Sequence, residues 1–293
     1  MVIRGDSMSL SYSNENFSFW RSESDIVLGE DRKENQMLHN HAESGQVEIL
    51  VYLQGDSSFY VEGASHPLKP MDIVFARPGE MHRVVHHSNC HYERAIITLF
   101  PSFFQMPGCS RFADIFINRS PGKGNFISHL SPEGRLLFDS YRKIESYLFG
   151  AEQIPLLAQN TLMEFLYLLN SIKPEPVKSA TPSSIRKVVL YIHEHITEDI
   201  SLDSIAAHFF MSKHYLCRVF KQNTGHTVNQ YITWNRITLA RDLRLSGMTL
   251  SDAAAAAGFR SYSSYYRAYR KATSNRPKDI RPSPSRPNKH LSR

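Results

Sequence analysis

The stretch Ser201-Leu-Asp-Ser-Ile-Ala-Ala-His-Phe-Phe-Met-Ser-Lys-His-Tyr-Leu-Cys-Arg-Val-Phe-Lys221 decides how this chain is read. Two short helical patterns flank a turn at Phe210-Met211. Ser201 and Ser212 stand at N-cap positions, where a hydroxyl accepts from first-turn N–H groups that have no helical partner. In the second helix Leu216, Val219 and Phe220 fall on one face, which predicts their burial. His214, Cys217, Arg218 and Lys221 fall on the opposite face at i, i+3, i+4, i+7, with Lys213 at the leading end. Such a helix rests its apolar side on a neighbour and leaves a hydrogen-bonding stripe free to enter a DNA major groove.

The pattern returns about 48 residues later. Leu250-Ser-Asp-Ala-Ala-Ala-Ala-Ala257 reads as a helix of small residues, Gly258-Phe259 as the turn, and Ser261 as the cap of a helix from Tyr262 to Lys271. There Tyr265, Ala268 and Tyr269 are expected inside, and Ser263, Tyr266, Arg267 and Arg270 outside, with Tyr262 leading. Residues 227–246 read as one continuous helix closed by Gly247. At about 1.5 Å per residue it spans roughly 30 Å. That approaches the repeat of about 34 Å between major grooves on one side of B-DNA.

Charge divides the chain in the same place. Residues 183–293 hold 18 Lys and Arg against 7 Asp and Glu, whereas residues 1–182 hold 16 against 21. A basic half joined to an acidic half points to double-stranded DNA as the partner of one half only. The plainer alternative is a helical bundle with solvated basic faces and no DNA role.

Working outward, Lys173-Pro-Glu-Pro-Val-Lys-Ser-Ala-Thr-Pro-Ser-Ser184 is rich in proline and hydroxyl residues and reads as an interdomain linker. Pro282-Ser-Pro-Ser-Arg-Pro-Asn-Lys-His290 reads as a disordered basic tail. Before the linker, Leu137, Tyr141, Ile144 and Leu148 recur at helical spacing, as do Leu162, Phe165, Leu166 and Leu169. Leu156, Met163, Tyr167 and Leu168 widen the second stripe to most of the circumference, so that helix needs two burial partners, the barrel and a second subunit. Residues 36–100 are a run of short strands, including Glu48-Ile-Leu-Val-Tyr-Leu53, Ser58-Phe-Tyr-Val61, Asp72-Ile-Val-Phe-Ala76 and Ala95-Ile-Ile-Thr-Leu-Phe100. Gly55, Gly63 and Pro78-Gly79 punctuate them, a pattern of sandwiches and jelly-roll barrels.

Residues 184–281 resemble the AraC/XylS-type DNA-binding domain, a seven-helix module with two helix-turn-helix motifs. The match runs through Ser201-Leu202, Ile205-Ala206, Ser212, Leu216, Arg218-Val-Phe-Lys221 and Thr224-Gly225. It continues through Tyr231, Arg236, Ala240, Gly258-Phe259, Arg267 and Pro277 to Arg281. Phe210 departs from the small residue usual in the first turn, Ala253 from the usual Ile, and Asn275-Arg276 and Ile280 from the usual final residues. Residues 36–104 resemble, more loosely, the cupin-type sensor domain that often precedes such a module. The matching residues are Glu48-Ile-Leu-Val-Tyr-Leu-Gln-Gly55, Leu68-Lys-Pro70, Asp72-Ile73, Pro78-Gly79, His82, Tyr92-Glu-Arg94 and Phe100-Pro-Ser-Phe-Phe104. The resemblance implies a small molecule, commonly a sugar, inside the barrel and dimerisation through the helices that follow. It also implies a transcription regulator, an activator or a repressor, with RNA polymerase as a further partner.

His39, His41, Glu48 and His82 are the expected effector-binding residues. Metal-binding cupins use three histidines and a carboxylate in similar motifs, suited to Fe, Mn, Zn or Ni. Here the interval from His41 to Glu48 is long for that motif unless Glu43 is the ligand or a bulge at Ser44-Gly45 intervenes. Two readings stand: a metal shell in a cupin enzyme fused to a DNA-binding domain, or a metal-free ligand pocket. The attached domain favours the second, with no catalytic residue and no cofactor. His66, His86, His87 and His91 are expected in water at strand ends and loops.

The expected fold is thus α+β and two-domain. A cupin-like jelly-roll barrel (1–130) with dimerisation helices (131–172) is linked (173–183) to an all-α double helix-turn-helix domain (184–281) and a tail (282–293). Three dispersed cysteines, no apolar N-terminal segment and no stretch long enough to span a bilayer predict a cytoplasmic protein without a membrane partner.

Overall fold

Alternation of side chains organises the N-terminal half of this computed structural model, which describes residues 7–28, 45–120, 122–172, 183–273, 276–277 and 280. Its strands are β1 (Ser7–Ser13), β2 (Phe17–Ile26), β3 (Val47–Gln54), β4 (Ser57–Val61), β5 (Ala64–Pro67), β6 (Ile73–Ala76), β7 (His82–His86), β8 (Cys90–Leu99) and β9 (Phe126–Ile127). They make two sheets, ordered β1-β2-β8-β3-β6-β9 and β5-β4-β7. Neighbours pair antiparallel throughout, and β2 lies against β8 over ten residues, from Phe17↔Leu99 to Ile26↔Cys90. Successive side chains of a strand point to opposite faces. Phe17, Phe19, Ile49, Val51, Ile97 and Leu99 therefore enter one core, while Leu50, Tyr52, Tyr92 and Ile96 enter another with Phe59 and Val61 of the smaller sheet. Gly55 makes the β3–β4 turn at φ +137°, where a Cβ would lie 2.7 Å from the Tyr52 hydroxyl.

Strands β1 and β2 lie outside the region where strands were expected. The signal was present, as Met8, Leu10 and Tyr12 alternate with serines and Phe17 and Phe19 with Ser18. The serines dilute the apolar character that marks the other strands.

Short helices α1 (Pro101–Gln105) and α2 (Asp114–Ile117) flank a 3₁₀ turn at Ser110–Ala113 and lead to α3 (Pro132–Phe149) and α4 (Pro155–Ser171). Ser131 caps α3, its hydroxyl accepting from the Gly134 N–H at 2.9 Å. Leu137, Tyr141 and Ile144 of α3 and Leu162, Phe165, Leu166 and Leu169 of α4 close the core on the larger sheet. Arg21 of β2 donates to Glu93 of β8 at 2.7 Å and to Glu145 of α3 at 2.9 Å, tying helix to sheet. The other side of the α4 stripe stays open: Leu156 is 66 % and Tyr167 56 % exposed.

A buried ion pair holds the loop after α2. Arg119 donates to both oxygens of Glu80, at 2.7 and 2.6 Å. Glu80 also accepts from the Gly122 N–H at 3.0 Å and the Asn125 amide at 2.8 Å. Burial disfavours the Glu80 charge, but Arg119 and these N–H groups outweigh it and hold the carboxyl below its ordinary range. The expectation for the remaining histidines needs correction. His66 is buried and stacks on Phe126 at 5.4 Å. His86 and His87 bond Ser57 and Ser58 at 2.9 and 2.7 Å. His87, exposed in the loop after β7, and His91, exposed near the start of β8 beside Asp25, sit as expected, whereas His66 and the half-buried His86 do not.

The chain divides into two compact units, residues 1–186 with 223–225, and residues 187–222 with 226–293. The described helices of the second half are α5 (Ser183–Glu194), α6 (Leu202–His208), α7 (Lys213–Thr224), α8 (Val228–Leu245), α9 (Leu250–Ala256) and α10 (Tyr262–Thr273). Ser201 and Thr227 form capping boxes with Ser204 and Gln230. The alanines of α9 leave space that Tyr265 and Tyr269 of α10 fill, packing with Ile237, Ala240, Ala254 and Ala257. No helix among the described residues is long and apolar enough to cross a membrane.

Removing one partner of a buried ion pair leaves the other charge without compensation. Arg119→Met is expected to destabilise the N-terminal unit by about 3–5 kcal/mol in denaturant titrations. A loss below about 1 kcal/mol would show that the pair is dispensable.

Candidate nucleic-acid interface and candidate ligand pocket

Helices α7 and α10 present the two predicted polar faces. In α7 the Ser212 hydroxyl accepts from the Tyr215 N–H at 3.2 Å. Leu216 and Phe220 are buried, and Val219 is half-buried. Phe220 meets the ring of Tyr231 edge-on at 5.4 Å, and the Tyr231 hydroxyl bonds His193 at 2.9 Å. Lys213, His214, Arg218 and Lys221 are exposed and Cys217 is half-buried. Lys213 pairs with Asp203 of α6, and the Arg218 guanidinium lies 6.0 Å from the Tyr215 ring. In α10 the Ser261 hydroxyl accepts from the Ser264 N–H at 3.2 Å. Tyr265 and Tyr269 are buried and Ala268 half-buried, whereas Tyr262, Ser263, Arg267 and Arg270 are exposed and Tyr266 is half-buried.

The two turns share a hydrogen-bond pattern but differ in the residue at its centre. Phe210 N–H donates to Ala207 and Met211 to Ala206, as Gly258 does to Ala255 and Phe259 to Ala254. Both central residues are left-handed, Gly258 at φ +87° and Phe210 at φ +53°. Glycine is required at the second turn, because a Cβ there would lie 2.9 Å from the Ile196 carbonyl and 3.0 Å from Arg236 Nε. At the first turn the phenylalanine side chain is 98 % exposed, so no packing offsets the steric cost of its backbone.

The barrel interior carries the second candidate site. Of the four expected effector residues, His39 and His41 lie outside the described residues. Glu48 of β3 and His82 of β7 do meet, with Glu48 Oε1 3.8 Å from His82 Nε2, while His82 Nδ1 bonds the Glu80 carbonyl at 2.8 Å. Burial opposes charge on His82, but Glu48 outweighs it and holds the imidazole above its ordinary range. Among the described residues no three His, Cys, Asp or Glu side chains come together as a metal shell.

Sheet register places further polar groups on this inner face. Ser18, Thr98 and Glu48 lie in one cross-strand row, and Ser22, Arg94 and Tyr52 in another, four residues along β8. From β7, His86 meets Tyr92 edge-on at 4.5 Å. Trp20, Ser22, His86 and Arg94 were not singled out in the sequence as ligand residues. The one signal that touched them was the Tyr92-Glu-Arg94 match. An open pocket of about 540 Å³ is lined by Ser11, Ser13, Ser18, Trp20 and Ser22 together with Tyr12 and Phe19.

A barrel with a polar interior and a helical unit with two capped, basic helix-turn-helix motifs define a class of two-part proteins, ligand-binding and nucleic-acid-facing. Family models match both parts: an AraC-like ligand binding domain over residues 23–106 and a helix-turn-helix domain over residues 205–283. The chain belongs to the AraC family. It is 35% identical over 101 residues to the right origin-binding protein of Escherichia coli K12, covering 34% of this chain and 35% of that one. It thus spans about a third of the length of the first curated relatives it matches. It is 24% identical over 240 residues to the HTH-type transcriptional activator RhaS of Klebsiella pneumoniae strain 342, covering 80% of this chain and 84% of that one. A solved DNA-binding domain of AdpA, in complex with a target DNA, aligns at 26% identity and TM-score 0.32, over 33% of this chain and 89% of that one.

Two outcomes test this description. Phe210→Gly relieves about 1–2 kcal/mol of left-handed strain against about 0.5–1 kcal/mol of added unfolded-chain entropy. A net gain of about 0.5–1 kcal/mol is expected in thermal melts, while Gly258→Ala should destabilise. A loss in Phe210→Gly would mean that the phenyl ring stabilises the turn. His86 is pushed down to about 4, by burial first and then by Arg94 and His87. A depressed imidazole must take up its proton on unfolding, so stability is lost as pH falls from about 6.5 toward about 4. His86→Gln should flatten that acid limb of the Tm profile, and an unchanged slope would place the titration elsewhere.

Proposed function

We propose that this chain is a sequence-specific DNA-binding transcription regulator whose action is set by a small molecule held in the barrel. One observation carries the DNA reading. Two copies of one capped motif each expose arginine on the face opposite the core, within a half of the chain holding 18 basic against 7 acidic residues. In this reading Lys213, His214, Cys217, Arg218 and Lys221 enter one major groove. Tyr262, Ser263, Tyr266, Arg267 and Arg270 enter the next. Helix α8, 18 residues long, spans roughly 27 Å, and each motif packs a helix against it. A DNA partner implies a cytoplasmic protein.

In the barrel half, Glu48 and His82 form the described part of an effector site that His39 and His41 complete. The meeting of Glu48 and His82 inside the barrel supports this, and their chemistry suits a hydroxyl-bearing ligand. The exposed side of α4, with Leu156 and Tyr167, supports dimerisation through residues 131–172. The segment 173–183 links the two activities.

Arginine is the common bidentate reader of guanine. Arg218→Ala and Arg267→Ala are each expected to weaken specific DNA binding by about 1–3 kcal/mol. Footprinting on DNA flanking the protein's own coding sequence defines the operator, and titration at fixed salt reads the loss. Wild-type affinity in both variants, with folding intact, would overturn the placement of α7 and α10 in the groove.

A further inference from the structure

Arg94 faces the barrel interior with its hydrogen-bonding capacity largely unused. It projects from β8 on the face shared with Trp20, Tyr92 and Ile96, opposite Ser22 of β2. Its guanidinium lies 4.9 Å from the Trp20 ring centroid and 5.5 Å from that of Tyr92. One long hydrogen bond, to the Tyr92 hydroxyl at 3.4 Å, is its polar contact within the described residues. Its Nε is buried with no hydrogen-bond partner. Among the described residues no carboxylate comes within ion-pairing distance of it, since neighbouring Glu93 points to the opposite face and binds Arg21. The nearby imidazole of His86 is no counter-ion in either protonation state, and burial followed by the Arg94 charge pushes its pKa down to about 4.

Arg94 is half-buried and keeps its proton, and its buried Nε has no partner, so an anion entering from the open side would supply the acceptor it lacks. The guanidinium fork matches a carboxylate with two parallel hydrogen bonds. Trp20 and Tyr92 hold its plane before any ligand arrives. Beside this group the pocket of about 540 Å³ presents the Trp20 indole and the row Ser11, Ser13, Ser18 and Ser22. That volume suits a small molecule. An indole flanked by hydroxyls fits a polyhydroxylated ring. Glu48, which His82 of β7 meets, stands opposite Thr98, four residues along β8 from Arg94, a rise of about 13 Å at roughly 3.3 Å per residue. The interior therefore has a cationic end and a carboxylate–imidazole end, with Trp20, Leu50 and Ile96 between them.

We propose that Arg94 is an anion anchor and that the effector is a polyhydroxylated carboxylate, a sugar acid rather than a neutral sugar. This deepens the effector reading given above and rests on it.

The test is calorimetric titration of full-length, tag-free protein at constant ionic strength. Galacturonate, glucuronate and gluconate are compared with galactose, glucose and galactose 1-phosphate, in wild type, Arg94→Gln, Arg94→Lys and Trp20→Ala. At least one acid is expected to bind at least 30-fold more tightly than its neutral partner. Arg94→Gln should remove that difference, so that the acid binds no more tightly than its neutral partner. Arg94→Lys, which keeps the charge and loses the fork, should retain part of it, showing that the loss in Arg94→Gln is not misfolding. A neutral sugar binding as tightly as the acids, sensitive to Trp20→Ala but not to Arg94→Gln, would overturn the anion anchor and leave the effector pocket standing. Tighter binding of the sugar phosphate would overturn the carboxylate assignment. No heat from any of these ligands, together with DNA affinity unchanged by all of them, would overturn both readings.

Discussion

The ladder between β2 and β8 is the constraint on which the N-terminal unit depends. Its register sends Phe17 and Phe19 with Ile97 and Leu99 toward the helices, and Trp20 and Ser22 with Ile96 and Arg94 toward the second sheet. A slip of one residue would exchange the two faces, turning the charges of Arg21 and Glu93 into the barrel and Arg94 toward the helices. Two unlike cores on one sheet make such a slip costly. The helix-side core is almost wholly apolar. The interior mixes aromatic rings with Glu48, His82, His86 and Arg94. Stability and ligand chemistry are thereby assigned to opposite faces of the same strands.

Ion pairs reinforce this division from outside the ligand face. Arg21, Glu93 and Glu145 join β2, β8 and α3 at the edge of the helix-side core. Glu80 and Arg119 fasten the loop after α2 to the turn before β7. That turn also sets His82, whose Nδ1 bonds the Glu80 carbonyl. A structural ion pair and a candidate ligand residue thus share a backbone segment, so disturbing the first displaces the second.

The helical unit follows a different logic. Each recognition helix is placed by contacts within a few turns of chain: a serine cap, two buried apolar or aromatic residues, and a left-handed turn. Gly258 satisfies the geometry of its turn without strain, and Phe210 meets the same geometry with its ring in solvent. The repeat is thus a repeat of backbone hydrogen bonds more than of residues, which is why an atypical side chain leaves the first motif intact.

How much was legible in the sequence follows from the range of the interactions involved. Helices α3, α4 and α6 to α10, the serine caps Ser201, Ser212 and Ser261, the twin turns and the uneven charge could be read directly. Apolar period, capping and turn chemistry act within about four residues. Strands β3, β4, β6 and β8 were legible as dense apolar runs, whereas β1 and β2 were hidden by serine despite their alternation. The inner face of the barrel was not legible. Glu48 and His82 could be named from their motifs, but nothing local links Trp20 with Arg94, or Glu80 with Arg119. Those pairs meet because strands distant in sequence share a register, and register is set by the burial of whole faces. The sequence alone therefore determined the elements and the two-part plan. The tertiary structure decided which charges share the barrel, because a ladder between remote strands is what places Arg94 beside Trp20 and leaves Glu93 on the other side.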